Sequence, residues 1–168
     1  MQAKAKPAGT NLLSHHMAKR GYLDIESVGD SMYPLIREGN LCRFEPAGLD
    51  SIRPGDILLF VTNEGRLIGH RYLSRRVERG DLFFVCKGDC SEHPDAPVRA
   101  DQIIGRLTLI RTAPRRFIRI DAFMPYVWGL LIVRFPSLGR PLRQLLSIRR
   151  RFRRRSPVTD DKREGLPE

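Results

Sequence analysis

No apolar run in this sequence is long enough to cross a membrane. The longest one, residues 122–133, has twelve residues, contains Pro125 and is flanked by Asp121 and Arg134, whereas a spanning helix needs about 20 apolar residues. The first twenty residues also lack the apolar core of a secretory signal peptide. We therefore expect neither an N-terminal signal nor a spanning anchor, and a protein that is cytoplasmic or peripheral at the cytoplasmic membrane.

Cysteine is scarce, with only Cys42, Cys86 and Cys90 in 168 residues. An odd number without framework spacing argues against a disulfide scaffold and predicts free thiols in a reducing compartment. Cys86, Cys90 and His93 lie close together in sequence, but they lack a fourth ligand and a paired Cys-x-x-Cys. We therefore predict neither a metal nor a cofactor.

Acidic residues are missing from one part of the chain. Residues 134–155 carry nine arginines and no acidic side chain, whereas residues 1–133 carry 19 basic and 15 acidic side chains. The net charge of +11 is therefore supplied mainly by a C-terminal appendage. Such a basic surface favours anionic lipid or nucleic acid as a partner.

The middle of the chain has the pattern of a β protein. Strands are predicted at residues 22–28, 41–44, 57–62, 66–79, 82–86 and 103–111, separated by turn signals such as Gly55-Asp56 and Gly80-Asp81. This density of turns predicts a mainly β body over residues 21–112 with Greek-key or barrel-like pairing. The flanks are predicted as a flexible segment at 1–20, with a short helix at 11–19 as an alternative, an apolar then basic helical extension at 113–155, and a disordered tail at 156–168.

Ser31 occupies a position at which a nucleophile would be well presented. It follows Gly29-Asp30 and precedes Pro34. Glycine can adopt a positive φ, and proline prevents a strand from continuing. A serine on such a corner is held rigidly, although it needs an adjacent base to be reactive. The alternative is an ordinary Asp-Ser turn before a short helix.

His70 is the candidate base, and two carboxylates are candidates to orient it. On an alternating strand His70 is expected to be half-buried, and a neutral imidazole suits general-base catalysis. Asp89 and Asp95 lie six positions apart in one polar loop, where either could hold the second imidazole nitrogen and fix the tautomer. The alternatives are a structural histidine and a pair of Asx turns.

Five short motifs in order resemble the signal peptidase I superfamily, which includes the LexA-like self-cleaving peptidases. The motifs are Ser31-Met32-Tyr33-Pro34, Gly55-Asp56-Ile57, His70-Arg71, Lys87-Gly88-Asp89 with Asp95, and Gly105-Arg106-Leu107. They are most similar to the branch found in the endoplasmic reticulum, archaea and some spore-forming bacteria. The resemblance covers residues 25–110, and Gly39-Asn40 departs from the Gly-Asp pair of the family.

The resemblance implies a signal peptidase/LexA-like β-fold and a Ser-His-Asp mechanism without a cofactor. Ser31 would be the nucleophile and His70 the base. Asp95 is the first choice for the carboxylate behind His70, and Asp89 the second. Gly29 and Met32 would contact the substrate or the oxyanion, and Gly29 leaves no side-chain oxyanion donor two positions before the serine.

The sequence thus predicts a serine endopeptidase of the signal-peptidase type that cleaves a peptide or protein precursor. One alternative is a catalytically inactive protein that keeps the fold and binds a peptide or another partner. Another is a LexA-like regulator that uses its basic tail. Nucleic acid is the least favoured partner, because no helix-turn-helix precedes the body and only Phe135 and Phe152 interrupt the basic run as aromatics.

The C-terminal extension has two interpretations. Tyr126 and Trp128 in the apolar run suit the headgroup level of a membrane, and the arginine-rich segment could form an amphipathic helix on an anionic membrane surface. The alternatives are an apolar helix packed on the β body and a solvated basic tail.

Overall fold

The computed structural model describes residues 8–155 of the chain. Within these residues the backbone forms one eight-stranded antiparallel sheet, which confirms the prediction of a mainly β protein. The strands are β1 (Leu23–Glu26), β2 (Leu41–Glu45), β3 (Ile57–Val61), β4 (Leu67–Glu78), β5 (Asp81–Lys87), β6 (Val98–Arg99), β7 (Ile103–Ala113) and β8 (Arg116–Arg119). Their order is β1-β2-β7-β3-β4-β5-β6, and β8 pairs with β7.

The sheet is covered on both faces at β3. All five residues of this strand are buried, and they divide between two apolar clusters. Ile57 and Leu59 belong to the first cluster, whereas Leu58 and Phe60 belong to the second. A strand that is buried on both faces has a continuous apolar sequence rather than an alternating one, and β3 therefore forms a rigid support beside β4.

Residues 8–20 form a helix, α1 (Ala8–Arg20), where the sequence predicted a flexible segment. Met17 is 1% exposed and packs in the first cluster. A Cβ at Gly105 of β7 would lie only 2.9 Å from Met17 Cε, so glycine at this position makes room for the side chain. The alternative prediction, a short helix at residues 11–19, agrees with this element, and tertiary packing stabilises the helix. Residues 1–7 of that segment lie outside the described residues.

Two short strands were not predicted. β6 pairs with β5, and β8 pairs with β7. Ile118 of β8 packs against the first apolar cluster, so the β body extends beyond residue 112 to Arg119. The predicted boundary was too early because Pro114 and the neighbouring basic residues obscure the alternation that follows them.

The C-terminal part is helical, as predicted. α2 (Phe123–Arg134) and α3 (Gly139–Arg155) are joined by a 3₁₀ turn at Pro136–Leu138. Among residues 8–155, no helix combines the length and the apolarity needed to cross a membrane. The segment predicted as a disordered tail, residues 156–168, lies outside the described part of the chain.

Candidate active site

Backbone hydrogen bonds join the segment before the Ser31 loop to the segment after it. The Ser27 N–H donates to the Asn40 carbonyl (2.8 Å), and the Gly39 N–H donates to the Ser27 carbonyl (2.9 Å). Gly29 has a φ of +77°, which only glycine adopts without strain. The Asn40 Oδ1 accepts from the Arg37 N–H at 3.0 Å, so the asparagine side chain supplies an acceptor oxygen within this loop.

His70 lies on β4 directly opposite Leu58 of β3. Its side chain is 12% exposed, and its Nε2 lies 3.0 Å from the Ser31 Oγ. This is hydrogen-bonding distance, and it brings together two residues 39 positions apart in the sequence. β4 pairs with β3 and contributes Tyr72 to the second apolar cluster, so the imidazole is presented from a packed strand rather than from a loop.

Asp95 completes a chain of three side chains. Its Oδ2 lies 2.7 Å from the His70 Nδ1, so the Nδ1–H donates to the carboxylate while Nε2 accepts from the Ser31 hydroxyl. The loop that carries Asp95 is tied at two points. The Asp95 N–H donates to the Cys86 carbonyl, and the Cys90 N–H donates to the Ser31 carbonyl, each at 2.8 Å.

Asp89, the second candidate carboxylate, lies in a different network. Arg71 donates to it through Nε (2.7 Å) and Nη2 (2.6 Å), and the Arg71 Nη1 donates to the Gly55 carbonyl (2.7 Å). The Trp128 Nε1–H of α2 donates to the Asp89 Oδ2 at 2.9 Å. The side chains of this ion pair are 1% and 0% exposed. Of the two candidates, the structure therefore brings Asp95 to His70 and holds Asp89 away from it.

Sequence reasoning missed the contribution of the C-terminal helices to this region. A Cβ at Gly129 of α2 would lie 3.0 Å from the Arg71 Nη1, and one at Gly139 of α3 would lie 2.8 Å from the Asp89 carbonyl oxygen. Arg143 of α3 donates to Glu92 at 2.9 Å. The apolar run therefore packs on the β body, and the two glycines within the extension are the only local signal of this close approach.

Trp128 differs from its predicted setting. The sequence placed this residue at the level of lipid headgroups, but its indole is partly buried and bonded to the Asp89 carboxylate. The interpretation was wrong for Trp128 because a buried carboxylate is a stronger partner for the indole N–H than water. Tyr126, the other aromatic residue of that prediction, is 60% exposed.

An apolar cavity of about 340 Å³ opens beside the Ser31–His70 pair. Ser31, His70, Gly29 and Met32 all line it, so both residues predicted to contact substrate or oxyanion are at this site. Most of its wall is apolar and comes from Ile36, Cys42, Phe44, Leu59 and Ile68. A Cβ at Gly29 would meet no atom within 4 Å, which leaves the space beside the serine open.

Two buried thiols near the site are unreactive. Burial raises the pKa of Cys42 and that of Cys86 to about 12, and the nearby Asp95 carboxylate adds to the effect at Cys86. Only about one in 10⁴ of such thiols is ionised at pH 8, and the thiolate is the nucleophilic form. These two cysteines are therefore poor nucleophiles.

We expect iodoacetamide at pH 8 to leave Cys42 and Cys86 unmodified in the folded protein. Peptide mass spectrometry measures the labelling, with urea-unfolded protein as the control in which both thiols react. If the folded protein were labelled as fast as the urea-unfolded protein, the first apolar cluster and β5 would have to open to solvent.

Gly88 allows close contact between the serine corner and the loop. A Cβ there would lie 3.1 Å from the His70 Nε2, 3.1 Å from the Ser31 carbonyl oxygen and 2.5 Å from the Ser91 Oγ. Gly88→Ala is therefore expected to displace the imidazole by a few tenths of an ångström and to lower kcat about 10-fold, since larger misplacements of about 1 Å cost about 100-fold.

The double variant Gly88→Ala/Ser91→Ala separates the clash with Ser91 from the crowding at His70 and Ser31. It removes the Ser91 hydroxyl but keeps the crowding at His70, so its kcat should stay low, while Ser91→Ala alone should retain wild-type activity. Recovery of activity in the double variant would locate the effect at Ser91 instead of His70.

Comparisons with models of protein families and with curated proteins give no match for this sequence. Within residues 8–155, no group of three histidine, cysteine, aspartate or glutamate side chains is arranged to hold a metal ion. The chemistry available at the site is that of a hydroxyl, an imidazole and a carboxylate in series beside an apolar cavity. That arrangement can move the hydroxyl proton to the imidazole while the oxygen attacks an electrophilic carbon.

Proposed function

We propose that this protein is a serine endopeptidase of the signal-peptidase type that cleaves a peptide or protein precursor. One observation carries the proposal: Ser31, His70 and Asp95 form an unbroken hydrogen-bonded series at the edge of an apolar cavity. The three residues come from a loop, a strand and a second loop. The ordered motifs that resemble the signal peptidase I superfamily support the same assignment.

In the proposed reaction the Ser31 Oγ attacks a peptide carbonyl carbon as its proton passes to the His70 Nε2. His70 then gives that proton to the leaving amine, and an acyl-enzyme remains on Ser31. A water molecule, deprotonated by His70, attacks the acyl carbon. The ester bond to the Ser31 Oγ then breaks, His70 returns its proton to that oxygen, and the second product is released as a carboxylic acid. Asp95 holds the imidazole in the required tautomer and stabilises the imidazolium.

The oxyanion of the tetrahedral intermediate would be stabilised by the Ser31 backbone N–H. A donor of this kind typically contributes about 3–4 kcal/mol to the transition state. Gly29, two positions before the serine, has no side chain to add a second donor. The open space beside Gly29 would accommodate the backbone of the substrate instead.

The cavity sets the class of substrate. Its wall is mainly apolar, and its volume of about 340 Å³ would take one or two small apolar side chains of an extended peptide. Val28, which is 92% exposed and lines the cavity, would contact such a peptide. An unfolded region of a precursor can be bound in this way, whereas a compact domain cannot.

The proposal is tested with a library of peptides of mixed sequence, incubated with wild-type protein and with Ser31→Ala. Mass spectrometry of new N-termini should show cleavage after small apolar residues by the wild type alone. Peptides that bind to both proteins without cleavage by either would favour a peptide-binding protein that retains the fold.

A further inference from the structure

The face of α2 that points away from the β body is apolar. Buried Pro125, Gly129 and Ile132 form its inner face, since they lie four and three positions apart. Trp128 is partly buried beside this inner face. Five large side chains on the opposite side of the helix are exposed, namely Phe123 (76%), Met124 (73%), Tyr126 (60%), Leu130 (45%) and Leu131 (40%). A surface helix normally has polar residues on the side away from the core, so this outer face of α2 lacks the usual composition for contact with water.

The apolar exposure continues into the segment after α2. Phe135, Leu145 and Ile148 are each more than half exposed. Eight of the fourteen large apolar side chains exposed in the described part of the chain therefore lie within residues 123–148. Clustered exposure of this kind marks an interaction surface, whereas scattered apolar residues need no explanation.

Positive charge lies directly beside this surface. Residues 134–155 contain nine arginines and no acidic residue, and Arg134 and Arg140 are exposed. The Arg134 guanidinium lies 5.5 Å from the centre of the Phe135 ring, so charged and apolar side chains are in contact at the junction of the two helices. A partner that complements this surface must offer both an apolar layer and negative charge.

We propose that the outer face of α2, together with the exposed Arg134 and Arg140 beside it, docks on an anionic lipid bilayer without crossing it. The acyl-chain boundary takes apolar side chains while the headgroups take the arginines. A nucleic acid would pair with the arginines but would leave the aliphatic Leu130, Leu131 and Leu145 without a partner. Since the inner side of α2 bonds to Asp89 through Trp128, docking would also fix the orientation of the candidate active site relative to the bilayer.

The test is co-sedimentation of the full chain with vesicles of phosphatidylcholine alone and of phosphatidylcholine mixed with phosphatidylglycerol. Binding should be strong only on the anionic vesicles and should weaken as salt rises, because salt screens the charges. Arg134→Gln/Arg140→Gln should lower the partition coefficient by about 5-fold for each arginine, or about 25-fold for the pair. The matched control, Arg75→Gln/Arg79→Gln on the exposed β4–β5 hairpin, makes the same change in charge and should have little effect.

A second variant tests whether the exposed apolar side chains of α2 contribute to vesicle binding. Phe123→Ser/Met124→Ser removes two exposed side chains and should lower the partition coefficient roughly 10-fold while thermal unfolding stays unchanged. Ser31→Ala should bind vesicles like the wild type, so the result does not depend on whether the protein is a peptidase.

Three outcomes would overturn the proposal. The first is the absence of binding to either kind of vesicle. The second is an equal loss of vesicle binding in the hairpin control and in the α2–α3 arginine variant. The third is preferential binding of a duplex RNA that displaces the protein from anionic vesicles. The last of these would assign the surface to nucleic acid.

Discussion

Replacing Ser31 with alanine is expected to reduce peptide hydrolysis by roughly 10⁴- to 10⁶-fold, because the reaction then has no nucleophile. The Ser31 Oγ is exposed at the corner and touches only His70 among the described hydrogen bonds, at 3.0 Å. Its loss should therefore leave folding intact. Initial rates on a peptide that the wild type cleaves, together with thermal unfolding of both proteins, give the measurement.

His70→Ala provides the matched comparison. Because the serine and its base act as a unit, each single variant and the double variant Ser31→Ala/His70→Ala should lose activity to nearly the same extent. If the effects of the two substitutions instead multiply, the residues contribute independently and the proposed proton transfer between them is wrong.

Asp95→Asn is expected to lower kcat on the order of 10⁴-fold with little change in stability. An asparagine amide can no longer hold the Nδ1–H tautomer, and in a related Ser-His-Asp site the same change costs about that much. The Asp95 side chain is 23% exposed, so the substitution leaves no deeply buried charge. Single-turnover rates measure the loss of catalysis, and denaturant unfolding measures any loss of stability.

Asp89→Asn should show the opposite pattern. It removes the partner of the fully buried Arg71, and breaking a buried pair in this way typically lowers the free energy of unfolding by about 3–5 kcal/mol. Catalysis measured well below the unfolding temperature should fall much less than in Asp95→Asn. A larger catalytic loss at Asp89 with normal unfolding would exchange the roles of the two carboxylates.

The sequence was sufficient to predict the main strands and to select Ser31 and His70. The strands carry local signals, since β3 is a continuous apolar run and β4 follows a clear turn. Ser31 and His70 each sit in a short motif whose chemistry can be interpreted without a structure. The contact between them is not local, because it depends on the pairing of β3 with β4 and on the turn at Gly29.

Other features depend on contacts that no local pattern encodes. Asp89 and Asp95 lie in the same polar loop, and non-local contacts determine which of them reaches His70. Arg71 holds Asp89, whereas the Asp95 N–H bonds to the Cys86 carbonyl. Trp128 has the same apolar neighbours whether it faces lipid or protein, so its bond to Asp89 could not be inferred. The helix α1 was predicted only as an alternative, over residues 11–19, because its stability depends on the packing of Met17 and on the absence of a side chain at Gly105.

The most direct test of the account is covalent labelling by a serine-directed fluorophosphonate. The reagent reacts with a serine whose hydroxyl is activated by an adjacent base, and peptide mass spectrometry identifies the modified residue. We expect wild-type protein to be labelled at Ser31, and His70→Ala to be labelled at Ser31 far more slowly. Absence of modification at Ser31 in the wild type, or equal labelling of the two proteins there, would contradict the assignment of Ser31 and His70 as nucleophile and base.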